Sequence, residues 1–558
     1  MYKRTSITAI LPYVLVCALS LKLISPLFQP GFFQAHDAFG HIYHMIEINE
    51  CIRHGILYPR WLPDMYWSRG GPIMTFYPPF FYYSALPFYW LTQSYFAGLK
   101  ISIGLGIILS GVFMYILARK YWGVAGALLA AAAYIYAPYH IVDIYVRGAF
   151  PESCLYVFLP AGFLLTYKAV TTSKKAWTAL LALALGISFI THVMSLFLPL
   201  VLIPYALLTA GRRNWRRASP LAAGFALALG LTAFYWLPAA LQMTFMHISR
   251  IAPGQYNWRD HFVYPLQLVS TAWGWGDSLP GTSDGMSFQV GIAHLAFIVF
   301  SIAAIPVLPH GRRKIAVFFL AMGLLSIFMT LPCSSPLWSN IPCLGIIQFP
   351  WRLLLFANFF TSLLAGATLC ILRPERKNAR WVATTLGIIL ILALYGRYCR
   401  AVYPNTTFPT DAECTRSTII EKALGKHELQ YLPRWVKQLP ERVPENKVTL
   451  KGEGIIEALK TAPDKLSFSY SAPEETRCSV NTFYYPCWIC SIDGTAHPVQ
   501  PGEPEGEIIV RLPPGEHEVT LRYTNPPSVI LAQLISLVSV IAAVALILWK
   551  GKRKWIYF

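Results

Sequence analysis

The sequence predicts a polytopic α-helical membrane protein with a small all-β domain on its outer side, just before the last span. About twelve spans are expected, thirteen if one aromatic run also crosses. Three observations predict this class. Only 13% of the 558 residues are charged and 55% are hydrophobic, whereas a soluble domain carries roughly 25% charged residues. Twelve apolar stretches approach the ~17–25 residues that cross a bilayer. One late stretch instead turns charged and Pro-rich, with apolar and polar residues alternating as in strands.

The apolar stretches are 6–27, 99–118, 124–138, 153–170, 176–191, 193–210, 221–241, 290–308, 315–331, 351–372, 381–395 and 529–549. The first follows MYKRTS, but it is too long for the apolar core of a signal peptide and no A-x-A site follows, so it reads as an uncleaved span. Several are short and need neighbours or local thinning of the bilayer. With alternating spans, Lys3-Arg4, Arg119-Lys120, Lys174-Lys175, Arg212-Arg213, Arg216-Arg217, Arg312-Arg313-Lys314, Arg373, Arg376-Lys377, Arg380, Lys550 and Lys552-Arg553-Lys554 all fall on one side. The positive-inside rule makes that side cytoplasmic, with both termini there, in a multi-pass cytoplasmic (inner) membrane protein. The net charge of +19 is thereby spread as topology signals, and nucleic acid is not an expected partner. The pattern holds only if the run 78–95 does not cross. Its three prolines and amphipathic rings suit an interfacial or re-entrant helix.

Three regions follow: a membrane domain over 1–396 with long outer loops at 28–98 and 242–289, a β-sandwich-like outer domain over 397–527, and a final helix with a basic tail over 528–558. The strands of the middle region are clearest at 465–470, 507–512 and 517–523. Trp, Tyr, His and Asp concentrate in the outer segments, so any chemistry is expected on the outer face.

The first outer loop gathers His36, Asp37, His41, His44, Glu47 and Glu50. Helical spacing puts Asp37, His41 and His44 on one face, suited to holding a metal or positioning a base, and equally to the wet face of an interfacial helix. The second loop carries Asp143, Arg147 and Glu152. Glu152 follows Pro151 in a first helical turn, where a carboxylate is favoured by the helix dipole, so capping is its simplest role. His192 lies between two spans, where a helix–helix hydrogen bond is the commoner use. In the third loop, aromatics interleave with Asp, Asn and Gln; a carbohydrate-facing groove needs flat faces and hydroxyl partners, although an interfacial aromatic belt accounts for part of this content. Asp260, Asp277 and Asp284 are candidates there. Arg352 sits at the outer mouth of a span, suited to a lipid phosphate held bidentately or to snorkelling. Cys333 and Cys343 bracket part of the fourth loop, where the compartment permits a disulfide. Cys487 and Cys490 form a C-x-x-C inside an apparent strand without a βαβ context, so no redox role is expected.

The stretches HDAFGHIYHMIEI, RGAFPE, FYWLPAALQM, DGMSFQVG and IQFPWRLLLF resemble a prokaryotic membrane family labelled 6-pyruvoyl-tetrahydropterin synthase-related, although nothing in the chain resembles a soluble pterin enzyme. An Asp shortly after the first span, an Arg-x-x-x-x-Glu second loop and a many-span core with an outer C-terminal domain also resemble GT-C glycosyltransferases. The segment FYYPCWICSIDG followed by LPPGEHEVTLRY resembles a YfhO-like pattern, with Cys487 where that pattern has Gly.

The resemblance implies transfer of a sugar from a polyprenyl-phosphate donor to a glycan, lipid or protein acceptor on the outer face. It implies Asp37 as general base and Glu152 as a metal-binding or acceptor-orienting acid. A divalent cation, Mg or Mn, on Asp37 and Glu152 is an allied expectation, weakened because Asp143 is too far from Glu152 for a tight D-x-D. Arg147, Arg352 or that cation would stabilise the leaving phosphate, and His41, His44, His192 and Asp284 would contact substrate. Two other readings stay open: a non-enzymatic glycolipid or polysaccharide transporter, against which the ionisable residues gather at the outer face and not at mid-membrane, and an envelope-assembly protein whose β-domain binds partners.

Overall fold

The computed structural model describes all residues except 1–6, 173, 211–217, 248–256, 373–375, 404–409, 416–430 and 550–558. Lys3, Arg4, Arg212, Arg213, Arg216, Arg217, Arg373, Lys550, Lys552, Arg553 and Lys554 of the charge pattern lie outside the described residues.

Each of the twelve apolar stretches is helical. The helices used below are α1 (Ile7–Ile24), α2 (Ala38–Arg53), α3 (Phe80–Thr92), α4 (Tyr95–Ile135), α5 (Pro138–Tyr145), α6 (Phe150–Thr172), α7 (Lys175–Phe189), α8 (Leu198–Ala210), α9 (Ser219–Leu231), α10 (Ala233–Gln242), α11 (Ile292–Ala304), α12 (His310–Phe328), α13 (Leu354–Thr368), α14 (Lys377–Tyr395) and α15 (Pro527–Leu548). Among the described residues, length and apolarity alone give seven spanning helices, or nine if two bent pairs each count as one span.

The difference from twelve has local causes. The apolar stretch Tyr95–Tyr145 is counted once, yet α4 breaks at Gly123, where φ is 75° and ψ is −174°. A Cβ on Gly111 would stand 2.6 Å from Ile135, residues that a straight helix would hold ~36 Å apart. The chain therefore folds back at Gly123 into two antiparallel spans, with Arg119 and Lys120 at the turn. Helices α7 and α11 are short, the α9–α10 pair bends by 69°, and α12 turns by 93° into Pro332–Asn340. Helix α3 has 13 residues, or ~20 Å of helix against a ~30 Å hydrocarbon core. It packs on α2 and α4.

Helix α13 is buried along nearly its whole length and touches α4, α11 and α12. Helix α15 returns after the β-domain to pack on α7, α9 and α10. At the bend between α9 and α10, the Phe234 N–H donates to Ser536 Oγ at 2.9 Å, and that hydroxyl donates to Gly230 O at 3.1 Å.

Among the described residues nine strands, β1 (Val448–Lys451), β2 (Ile455–Ala462), β3 (Lys465–Ala472), β4 (Thr476–Phe483), β5 (Trp488–Ile492), β6 (Thr495–His497), β7 (Gln500–Pro501), β8 (Glu507–Leu512) and β9 (Gly515–Tyr523), form two antiparallel sheets in the orders β1-β4-β8-β7 and β2-β3-β9-β5-β6. The three stretches expected as strands are β3, β8 and β9. Alternation gives each sheet a buried face: Leu466 and Phe468 lie across from Leu521 and Val519 in one, and Cys478 and Val480 across from Val510 and Ile508 in the other. The domain docks on the loop after α1 and on the end of α10. Arg69 pairs with Glu505, the Phe483 N–H donates to Arg69 O at 2.9 Å, Tyr485 donates to Gln242 Oε1 at 2.7 Å, and Trp61 packs on Trp488 and Tyr523. All eleven cysteines are free thiols, so the disulfide that Cys333 and Cys343 invited is not formed.

Candidate functional site

The loops that hold Asp37 and Arg147 are joined through their backbones. The His36 N–H donates to Val146 O at 3.1 Å, and the Asp37 N–H donates to Arg147 O at 2.9 Å. Gly148 permits this contact: its φ is +64°, and a Cβ there would stand 2.9 Å from the Ala35 Cβ. Asp37 precedes α2 but its side chain does not cap the helix. Its carboxylate is exposed, accepts no hydrogen bond from any described residue, and faces Arg147 closely enough to favour that residue's charge.

Behind Asp37 lies a buried ionic cluster built on the start of α6. Glu152 is fully buried. Its Oε1 accepts from the Tyr139 hydroxyl at 2.8 Å, and its Oε2 accepts from Arg147 at 2.8 Å. Arg352 Nε stands 3.3 Å and His192 Nε2 3.8 Å from the same oxygen. Arg147 also pairs with Asp143, one turn back on α5, and donates to Tyr139 at 3.0 Å. Burial opposes the charge on Arg147, yet Glu152, Tyr139 and Asp143 hold its pKa well above the ordinary arginine value. Burial pushes His192 down to about 3 despite the attraction of Glu152, so its imidazole is neutral near pH 7.

The two guanidiniums rest on an aromatic floor. Arg147 lies 4.5 Å above Trp351 and Arg352 lies 5.0 Å from the Phe349 ring, and these two rings stack at 4.7 Å. One Arg352 nitrogen is held by Ile347 O and Gln348 Oε1 at 3.0 and 2.9 Å. On each arginine, Nη2 donates to no described residue. Such a pair can take an anion with its remaining donors.

A divalent cation does not fit this arrangement. Both Glu152 oxygens are already engaged, and a metal there would sit against two guanidiniums. Among the described residues no group of three His, Cys, Asp or Glu is placed to hold a metal ion.

The remaining candidates sit elsewhere in the fold. Helix α2 is buried along most of its length and is not a wet interfacial helix. His41 and His44 do share a face, but both Nδ1 atoms bond the Tyr82 hydroxyl, at 2.9 and 2.8 Å. One hydroxyl has one proton, so it donates to one ring and accepts from the other. These histidines join α2 to α3 inside the protein. Asp284 accepts from Gln267 Nε2 at 2.6 Å and the Leu279 N–H at 2.7 Å, which closes its own loop. Asp260 accepts from Asn257 within a short turn.

Tyr139, Gln348 and Trp351 were not singled out from the sequence. Trp351 adjoins Arg352 and was legible by position; a tyrosine among many others carried no signal. Around His36, the residue before Asp37, opens a cavity of about 280 Å³ lined also by Gln34, Ala35, Phe39, Val146, Trp275 and Val402.

Apolar helices in number, a C-terminal β-domain and a polar centre where loops meet helix ends define an integral membrane protein. The chain belongs to the membrane protein family described as 6-pyruvoyl-tetrahydropterin synthase related domain, whose model matches residues 74–401, more than half of its length. No curated protein matches the sequence. Among solved structures, the chain is similar to ArnT from Cupriavidus metallidurans bound to undecaprenyl phosphate (16% identity, TM-score 0.39, 70% of this chain and 64% of that one). It is also similar to the Archaeoglobus fulgidus oligosaccharyltransferase tethered with an acceptor peptide (12%, 0.44, 72% and 56%) and to the arabinofuranosyltransferase AftD from Mycobacteria (14%, 0.41, 69% and 26%). The chain thus spans less than two thirds of each of these proteins, and the likeness is a remote one of fold.

Proposed function

We propose that this protein is a membrane glycosyltransferase that moves a sugar from a polyprenyl-phosphate donor to an acceptor hydroxyl on the outer face of the cytoplasmic membrane. The observation that carries this reading is the exposed, unbonded carboxylate of Asp37 held by a backbone hydrogen bond against Arg147, one member of a pre-built arginine pair. The remote structural neighbours are too distant to lend a ligand, so the reading rests on the site.

In the reaction, Asp37 takes the proton of the acceptor hydroxyl as its oxygen attacks the anomeric carbon. The bond from that carbon to the phosphate oxygen breaks, and the electron pair leaves with the polyprenyl phosphate. The leaving group is already a stable anion, so its charge needs stabilising more than protonating; Arg147 and Arg352 supply that charge from a fixed position. Glu152 acts through them as a positioning residue.

The test is release of polyprenyl phosphate by the purified full chain given polyprenyl-phosphate sugars and membrane acceptors. Asp37→Asn is expected to lose about 10²–10⁴-fold in turnover, the usual contribution of a positioned base, while still binding donor. Unchanged envelope glycoconjugates in a deletion strain complemented with Asp37→Asn would sink the proposal.

A further inference from the structure

The loop that ends at the predicted carbohydrate groove builds one wall of the cavity around His36. Between Trp273 and Met286 the chain doubles back: Trp275 bridges Met286, the Gly276 N–H donates to Gly285 O at 2.9 Å, and the Gly285 N–H donates to Asp277 O at 2.9 Å. The two arms meet backbone to backbone, since a Cβ on Gly285 would stand 2.6 Å from the Gly276 Cα. Asp284 closes the far end by gripping Gln267 and the Leu279 N–H. At the near end Trp273 stacks on Tyr398 at 4.3 Å, and the Tyr398 hydroxyl donates to Thr271 O at 3.0 Å. A rigid hairpin therefore presents Trp275, 38% exposed, across the cavity mouth, fixed to the first loop where His36 Nε2 meets Trp275 O at 3.2 Å.

The lining has a definite chemistry. Phe39 and Trp275 offer aromatic faces, Gln34 an amide and His36 an imidazole, and among the described residues no Lys, Arg, Asp or Glu lines the space. A charged acceptor finds no counter-charge there, and a lipid chain meets an amide and an imidazole. An uncharged sugar ring has apolar C–H faces for the aromatics and hydroxyls for the polar pair, and about 280 Å³ is room for a single ring.

We infer that this cavity is the acceptor subsite and that the acceptor is the hydroxyl of an uncharged sugar residue stacked on Trp275. The inference rests on the transferase reading and narrows its open acceptor class to a saccharide. Asp284, expected from the sequence to touch substrate, is on this account a positioning residue that holds the Trp275 hairpin closed.

The experiment is saturation-transfer NMR on the full chain in detergent, with methyl glycosides of glucose, mannose, galactose and arabinose as probes and decanol as the lipid control. Signals on ring protons are expected for at least one glycoside in the wild type, a binding readout that needs no turnover. Trp275→Ala should weaken that signal by about threefold to tenfold, the worth of one aromatic contact, and Trp275→Phe should restore most of it. Gln34→Ala, on an exposed side chain, is a second variant with no folding burden and should also weaken it. Absence of ring signal for every glycoside, an undiminished signal in Trp275→Ala and Gln34→Ala, or signal on decanol alone would each overturn the inference. Glycoside binding together with an inactive wild type would leave the subsite standing and remove the transferase reading.

Discussion

Glu152 shows how a residue in an unremarkable capping position becomes the keystone of a site. Two arginines, one histidine and one tyrosine converge on its two oxygens inside the protein. Removing one partner from a buried ionic group leaves uncompensated charge, typically costing about 3–5 kcal/mol. Glu152→Gln is therefore expected to lower the thermal stability of the purified protein by that order and to weaken donor binding with it. Weakened donor binding at unchanged stability would make Glu152 a direct substrate contact. His41 supplies a pH dependence. Burial pushes its pKa down to about 4, below the ordinary value near 6.5, so the unfolded chain takes up the proton more readily. The stability contributed by the neutral ring is complete above pH ~6.5 and is lost as pH falls toward ~4, by ~3 kcal/mol at most. His41→Gln should flatten the fall in melting temperature over that interval; an unchanged fall would assign it to other groups. At this scale the sequence was partly legible. The acids and arginines stood out because ionisable groups are scarce in this chain. Their pairing did not, because Asp143 and Arg147 were read as loop, whereas α5 and the turn after it put them one helical turn apart.

Helix positions were the most readable feature, since an apolar run long enough to cross a bilayer has few other folds available. All twelve runs are helices, and the fold-back at Gly123 was foreshadowed by Arg119-Lys120. The bends were not readable. A break such as that between α9 and α10 depends on which neighbour can satisfy the freed backbone groups, and that neighbour comes from the far end of the chain. Gly123 itself is testable. Its φ of 75° with ψ of −174° belongs to a region that side-chain-bearing residues rarely enter, at a cost of order 1–3 kcal/mol. Gly123→Ala should destabilise the protein by about that amount in thermal unfolding, whereas Gly106→Ala, on the same helix with open space at its Cβ, should not. Equal effects would mean that Gly123 is not held in this conformation.

Across the whole molecule, the β-domain is anchored at both ends and along one side. The chain enters it after α14 and leaves it through α15, and Arg69, Gln242 and Trp61 of the membrane domain grip its near edge. The Arg69 side chain is only 7% exposed and its Nε and Nη1 have no hydrogen-bond partner, so Glu505 is its compensation. Glu505→Ala should leave that guanidinium buried and unpaired, with faster amide hydrogen exchange across β4 and β8 as the measure of a loosened interface. Unaltered exchange would show that the aromatic contacts around Trp61 suffice. A sandwich was legible from alternation in β3, β8 and β9, but its docking was not, because the contacts join stretches far apart in the chain: Gln242 and Tyr485 are 243 positions from each other, Arg69 and Glu505 436.

The hydroxyl of Ser536 at the bend between α9 and α10 bears on how the protein is made. Phe234 emerges from the ribosome 302 residues before Ser536, an interval of about 15–60 s at ordinary synthesis rates. Throughout that time its N–H lacks its final partner in a medium without water, where an unsatisfied backbone group costs several kcal/mol. The nascent bundle must then wait with an open seam, held by insertion machinery or by its neighbours. A chain cut short anywhere between the β-domain and α15 would keep that seam open and present it to membrane quality control.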